Sequence, residues 1–126
     1  MRSIVDKHAE ELAGKYPGTD VRLRPDGTYF VTIPNYLLPA GWNKQNTKIY
    51  FIVPAGYPTG KPDCFWTDKD LTLANGATPA NASVNVSHGE PEQLLWFSYH
   101  LSSWNPNSDN LLTYVRVIRK RLEELR

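Results

Sequence analysis

The sequence contains little cysteine, little net charge and no long apolar run, and each shortage excludes a class of protein. A single cysteine among the 126 residues rules out an internal disulfide and a cysteine-based zinc cluster. Fourteen basic and thirteen acidic residues leave a net charge of +1, too little for a general attraction to nucleic acid or anionic lipid. The first residues lack the apolar core of a signal peptide, and no run reaches membrane-spanning length. We therefore expect a cytoplasmic protein that binds neither nucleic acid nor a membrane.

The length and the 40% apolar content predict a single domain over residues 1–126. Its centre is expected at residues 49–53, a β-branched and aromatic run that predicts a buried strand. Pro54 ends this run because proline removes a donor from the strand ladder, and a second short strand is predicted over residues 63–67. We expect the other elements to pack on these two strands and on the proline-rich turn between them.

Patterns on both sides of these strands predict an α+β fold. Ser3 can cap a first helix that ends near Gly14. Alternating apolar and polar residues predict a hairpin over residues 21–33, and the antiparallel sheet is expected to have about four strands. Residues 71–93 have no period of either helix or strand and predict a long loop before the C-terminal elements.

The closing helix has the clearest pattern. Its apolar stripe has intervals of four, three, four and three residues, and consists of Leu111, Val115, Ile118, Leu122 and Leu125. Asn107 or Ser108 is expected to cap this amphipathic helix. Four basic residues lie mostly off the stripe and predict a solvated face: Arg116, Arg119, Lys120 and Arg121.

Short motifs then occur in an order that resembles a known family. Tyr57-Pro58 and Lys61-Pro62 separate the two central strands, and Trp104-Asn105-Pro106 precedes the closing helix. This order resembles the ubiquitin-conjugating (UBC) superfamily, which has Tyr-Pro, Pro-Pro and Trp-Ser-Pro at these places. The resemblance is closer to a bacterial branch, prokaryotic family E, over residues 21–125. It is carried by Gly56, Tyr57, Pro58, Pro62, Asp63, Phe65, Trp66, Trp96, Ser98, His100, Leu101, Trp104, Pro106, Asp109, Leu111, Thr113 and Tyr114.

The resemblance implies a UBC-like fold with the long loop on the active-site side, but the usual chemistry is missing. Classical members have a His-Pro-Asn segment and a catalytic cysteine that accepts the C-terminus of a ubiquitin-like protein as a thioester. No cysteine occurs between residues 71 and 104. Cys64 replaces an aliphatic core residue of the family pattern, and a buried cysteine behaves as a small apolar side chain. We therefore interpret Cys64 as structural.

Ser98 and His100 are the remaining candidates for catalysis. Positions two apart share a face of a strand, so His100 could remove the proton of Ser98, and Asp109 could orient the imidazole. Ser98 would then carry the ubiquitin-like protein as an oxyester. The alternative is structural: Ser98 caps a local turn and His100 bonds a carbonyl group. His88, in the predicted loop, is expected to be exposed to solvent.

Metal and hydrolase chemistry have little support in the sequence. The three histidines have no carboxylate at close ligand spacing, so we expect neither a metal site nor a cofactor. An independent serine hydrolase is a further alternative, which the lack of a Gly-x-Ser-x-Gly motif disfavours.

The resemblance implies a function in a bacterial ubiquitin-like protein modification pathway, of a kind tied to defence against phage. The implied partners are an activating-enzyme homologue, a ubiquitin-like protein and a deconjugating peptidase. The chain would be either a transferase that uses serine and histidine or an inactive variant that serves as a binding adaptor. In the resembling fold the activating enzyme docks on the first helix and on neighbouring loops. The residues assigned to this surface are Tyr36, Leu37, Trp42 and Tyr57.

Overall fold

The chain forms two helices and one sheet within residues 3–84, 88–101 and 103–126, the ranges described by the computed structural model. The elements are α1 (Ile4–Lys15), β1 (Asp20–Leu23), β2 (Tyr29–Leu37), β3 (Asn46–Val53), β4 (Phe65–Asp68), β5 (Ala82–Ser83), β6 (Leu94–Phe97) and α2 (Leu111–Glu123). The predicted α+β class is confirmed. No helix in the described ranges is both long enough and apolar enough to cross a membrane.

The sheet has six strands, whereas about four were predicted from the sequence. Their order is β1-β2-β3-β4-β6-β5, and all neighbouring strands are antiparallel. β5 and β6 are only two and four residues long, too short to show a clear period in the sequence. β5 lies inside the predicted loop of residues 71–93, of which residues 85–87 fall outside the described part of the chain.

β3 contains the predicted central strand and pairs with β2 on one side and β4 on the other. β4 begins at Phe65 rather than at Asp63. The reason is Cys64, whose φ of 58° lies in the left-handed region and interrupts the extended backbone. Phe65 and Trp66 then face opposite sides of the sheet, as expected for successive residues of a strand.

The helix caps were predicted correctly for one helix and incorrectly for the other. Ser3 caps α1, and its hydroxyl accepts the N–H of a residue in the first turn. Asn110 caps α2, so the predicted cap at Asn107 or Ser108 was wrong. Residues 105–109 instead form a separate turn, closed by a backbone hydrogen bond between its ends. This turn uses the polar residues that looked available for capping.

The main core lies between the two helices and one face of the sheet. Phe65 and Phe97 form the centre of that face, where their rings stack with centroids 4.7 Å apart. Leu125 lies beyond the end of α2 and is 52% exposed, unlike the rest of its predicted stripe. The buried members of the stripe are Leu111, Val115, Ile118 and Leu122.

Arg121 corrects the prediction of a solvated basic face on α2, because its side chain is buried in the core. Its guanidinium donates hydrogen bonds to the carbonyl oxygens of Ala80, Glu124 and Arg126 at 2.8–3.1 Å. The same group lies 5.1 Å from the centre of the Phe97 ring, a cation–π contact. Burial lowers the pKa of Arg121 from its usual value. The residue thus ties the last turn of α2 to residue 80 and to the sheet.

A second, smaller cluster covers the opposite face of the sheet. Its buried members are Phe30, Tyr50, Trp66 and Leu94. His88 was predicted to be exposed but is buried, with its ring stacked on Phe30 at 5.9 Å and its Nε2 atom 2.8 Å from the carbonyl oxygen of Glu92. Arg24 donates a hydrogen bond to the carbonyl oxygen of His88 at 2.6 Å. The part of the chain around residues 88–92 therefore packs on the sheet.

Candidate functional site

The proline-rich turn, residues 54–62, is held by side chains from both ends of the chain. The Nε1–H of Trp104 donates to the carbonyl oxygen of Pro58 at 2.7 Å, and the Trp104 ring lies 6.2 Å from that of Tyr57. From α1, His8 Nδ1 lies 2.6 Å from the Tyr57 hydroxyl. Burial raises the pKa of Tyr57, so this phenol stays protonated at neutral pH. The turn, α1 and the segment before α2 are therefore joined at Tyr57.

The partial burial of His8 is expected to make stability depend on pH. Burial lowers the pKa of His8 below the 6.5 of a free histidine. As pH falls below about 6.5 the unfolded chain therefore takes up this proton first, and the folded state loses stability. The effect is modest because His8 is partly exposed to solvent. Urea unfolding at pH 7.5 and 5.5 should show a smaller loss of stability at the lower pH in His8→Gln than in the wild type, and equal losses would contradict the assignment.

A cleft of about 400 Å³ opens beside α2, close to the end of β6. It is lined by Tyr99, His100, Leu101, Ser103, Asp109, Thr113, Val117 and Lys120. Two of the predicted catalytic residues, His100 and Asp109, are therefore in one cleft. Ser98 lies outside this lining group: it is half-buried directly after β6, and its N–H donates to the carbonyl oxygen of Asn81 at 2.9 Å.

The three predicted catalytic residues have separate contacts in this structure. His100 Nδ1 lies 2.6 Å from Oδ1 of Asp63, so the carboxylate beside its ring is not that of Asp109. Asp109 accepts the N–H of Asn105 at 2.7 Å, within the turn before α2. The catalytic assignment of Ser98, His100 and Asp109 remains a prediction, and it requires the imidazole to rotate away from Asp63.

Cys64 is the third member of a cluster with Asp63 and His100. Its Sγ atom lies 4.0 Å from His100 Nδ1, and one ligand-type atom from each of the three residues lies within 4.8 Å of the other two. Cys64 is 8% exposed, whereas the side chains of His100 and Asp63 are 62% and 52% exposed. The thiol therefore lies on the buried side of the cluster, whereas the imidazole and the carboxylate face solvent.

Burial raises the pKa of the Cys64 thiol above its usual value, and the negative charge of Asp63 acts in the same direction. Hydrogen bonds from the backbone of Tyr99 and the side chain of Trp96 act in the opposite direction but are outweighed. At neutral pH the group is therefore mostly a thiol, which is a poor nucleophile. The interpretation of Cys64 as structural stays a prediction, and its burial is consistent with it.

A family model matches most of the chain. The family is Prokaryotic E2 family E, and its model matches residues 18–125. The chain belongs to this family. E2 is the general term for ubiquitin-conjugating proteins, so the predicted membership of the UBC superfamily is confirmed. No curated protein and no solved structure matches the chain significantly.

The surface assigned to a partner of this E2-like chain is mostly core. Tyr36, Trp42 and Tyr57 are only 4–6% exposed, whereas Leu37 is 68% exposed. Tyr36 and Leu37 are neighbours in β2, so their side chains point to opposite faces and only one can reach solvent. Of the four residues assigned to the partner surface, Leu37 is therefore the one whose side chain reaches solvent.

The cluster of Asp63, Cys64 and His100 was missed in this E2-like sequence. His100 is separated from Asp63 by 37 residues, so no local ligand spacing is visible. The antiparallel register of β4 and β6 pairs Phe65 with Phe97. If the same register is continued beyond the ends of the strands, the residues before Phe65 lie next to those after Phe97. A correct pairing of these two short strands would have revealed the cluster.

Proposed function

We propose that this E2-like chain is the conjugating component of a bacterial pathway that attaches a ubiquitin-like protein to other molecules. It would receive the ubiquitin-like protein from an activating-enzyme homologue, and a deconjugating peptidase would reverse the modification. The observation that carries the proposal is the family match over residues 18–125. The contacts around Tyr57 and Trp104 support it, because Trp104 donates its indole N–H to the carbonyl oxygen of Pro58 and so holds the turn that the family resemblance singled out.

The proposed chemistry is transfer through an oxyester. The Ser98 hydroxyl would attack the C-terminal carbonyl carbon of the ubiquitin-like protein while that carbon is held on the activating enzyme. His100 would take the hydroxyl proton, and the group that held the C-terminus would leave. The presence of His100 and Asp109 in one cleft supports this route. The present contact of His100 with Asp63 means that partner binding would have to reorient the imidazole.

The second candidate function is that of an adaptor, which binds the ubiquitin-like protein or the activating enzyme without carrying it. It is favoured by the same pairing of His100 with Asp63, because the imidazole is then not oriented by Asp109 as the oxyester route assumes. The buried thiol of Cys64 favours it as well, since burial raises the pKa of that group. The two candidates differ in one observable, a covalent adduct.

The test is intact mass measurement after incubation with the activating-enzyme homologue, the processed ubiquitin-like protein and ATP. Wild type is compared with Ser98→Ala, His100→Ala and Cys64→Ala. An adduct that hydroxylamine cleaves and that only Ser98→Ala or His100→Ala loses supports oxyester transfer. Loss only in Cys64→Ala would contradict the structural interpretation of Cys64. Firm binding without an adduct supports the adaptor, and the absence of both contradicts both candidates.

The proposed role in phage defence is tested in cells rather than in solution. Cells that carry the complete system are compared with cells that lack only the gene for this chain. Defence predicts that plaque counts rise when the chain is missing and fall again when it is restored. Equal plaque counts across a panel of phages would contradict a defence role while leaving the conjugation chemistry open to the mass assay.

Two neighbouring residues of the surface assigned to the activating enzyme, Tyr36 and Leu37, provide a matched pair of variants. Leu37→Ala should weaken binding to the activating-enzyme homologue and leave the free energy of unfolding unchanged within about 0.5 kcal/mol, because Leu37 is exposed. Tyr36→Ala should lower that free energy by about 3–5 kcal/mol, because it removes a buried aromatic ring. Calorimetric binding and urea unfolding measure the two effects. Unchanged binding by the folded Leu37→Ala protein would exclude Leu37 from the interface.

A further inference from the structure

We propose that Asp63, Cys64 and His100 form a binding site for a single Zn²⁺ ion, with one ligand atom from each residue and a fourth position open to water. The site goes beyond the conjugating function, which needs no metal. It combines a thiol, an imidazole and a carboxylate, the three side-chain groups that zinc binds in proteins.

Two rigid pieces of backbone bring these ligands together. Asp63 and Cys64 stand immediately before β4, and the Cys64 N–H donates to the carbonyl oxygen of Tyr99 at 3.2 Å, next to His100. The hydroxyl of Tyr114, a buried residue of α2, donates a hydrogen bond to the carbonyl oxygen of Cys64. The position of Cys64 is thus fixed from the sheet and from the helix, so that little rearrangement is needed when an ion binds.

The distances are close to those of a tetrahedral site. Zinc bonds of about 2.3 Å to sulfur and about 2.1 Å to nitrogen or oxygen separate the ligand atoms by about 3.4–3.6 Å. The observed 4.0 Å between Cys64 Sγ and His100 Nδ1 must shorten by about 0.4 Å, and the 2.6 Å between His100 Nδ1 and Asp63 Oδ1 must lengthen by about 0.8 Å. Both changes require only small rotations of two exposed side chains.

The cluster is open to an ion on its solvent side. The side chains of His100 and Asp63 are 62% and 52% exposed, and Cys64 lies beneath them at 8%. An ion can therefore enter from solvent, the thiol proton is released to water as the sulfur binds the metal, and a water molecule can fill the fourth position.

The direct test is titration of the purified chain with Co²⁺, followed by displacement with Zn²⁺. Sulfur coordination is expected to give a near-ultraviolet sulfur-to-cobalt charge-transfer band, together with the visible bands of a tetrahedral cobalt ion, and both should saturate at one equivalent. Cys64→Ala should abolish the charge-transfer band. His100→Ala and Asp63→Asn should each weaken Zn²⁺ binding, measured by calorimetry, by more than about tenfold.

The control is Asp70→Asn, which removes an exposed carboxylate that pairs with Lys44, away from the cluster. It should leave Zn²⁺ affinity unchanged. His100→Ala and Asp63→Asn alter exposed side chains, so they should remain folded, which thermal melting followed by circular dichroism verifies. Absence of the charge-transfer band in the wild type, or equal Zn²⁺ affinity in all variants, would overturn the proposal. No partner protein is present in this test, so its outcome is independent of the conjugation assay.

Discussion

Replacing Arg121 with alanine is expected to lower the free energy of unfolding by about 3–5 kcal/mol. The change removes a large buried side chain and leaves carbonyl oxygens of Ala80 and Glu124 without their charged donor. It also removes the cation–π contact with Phe97. Urea unfolding at constant pH, with tryptophan fluorescence as the signal, measures the loss.

Arg116→Ala is the matched control for this experiment. Arg116 lies on the same helix and has the same charge, but its side chain is exposed. Its loss should change the free energy of unfolding by no more than about 0.5 kcal/mol. Similar small effects in both variants would mean that Arg121 is not held as described and that its guanidinium reaches solvent.

Replacing Phe97 with alanine is expected to have a comparable effect, a loss of about 3–5 kcal/mol. Phe97 is completely buried and stacks on Phe65, and its ring also meets the edge of Trp42 at a centroid distance of 6.4 Å. The cavity would open directly before Ser98, at the end of β6. We therefore expect this variant to lose binding or transfer activity as well as stability.

Phe97→Leu separates the effect of lost volume from the effect of the lost aromatic ring, because leucine removes the ring but keeps a large apolar side chain. Leucine keeps most of the filled space, so the loss of free energy should be about 1.5 kcal/mol. Thermal and urea unfolding of both variants give the comparison. If Phe97→Ala and Phe97→Leu lost the same amount, the volume that the side chain fills would not be the source of the stability, and the stacking of the two phenylalanine rings would account for it instead.

The elements with a strong apolar period were predictable from the sequence. The apolar stripe of α2 indicates which face of the helix is buried, and the continuous apolar run of β3 indicates a strand that is covered on both faces. Ser3 also identified the start of α1. The cap of α2 was missed because several residues before Asn110 have the same capping chemistry, and only the turn at residues 105–109 distinguishes them.

Arg121 could not be identified as buried from the sequence. Its position beside the apolar stripe is known from the helical period, but the carbonyl groups that receive its hydrogen bonds lie partly outside the helix, for example at Ala80. A buried guanidinium is stable only where such acceptors are present. Tertiary structure, rather than local pattern, therefore decides whether this residue faces solvent.

The candidate site was predicted in part. The sequence identified His100 and Asp109, which share a cleft, and it identified the turn at Tyr57. It did not identify Asp63 as the group that contacts His100, because that contact depends on the pairing of two strands of only four residues each. Contacts between distant segments need the register of the sheet, which short strands specify weakly.

The edges of the sheet have a consequence for how the protein behaves at high concentration. The outer strands, β1 and β5, are four and two residues long, and β1 carries the charged side chain of Arg22. Short, charged edge strands are poor templates for the addition of strands from other molecules. A purified sample should therefore resist growth into cross-β fibrils while folded, and fibril formation should require conditions that first unfold the sheet.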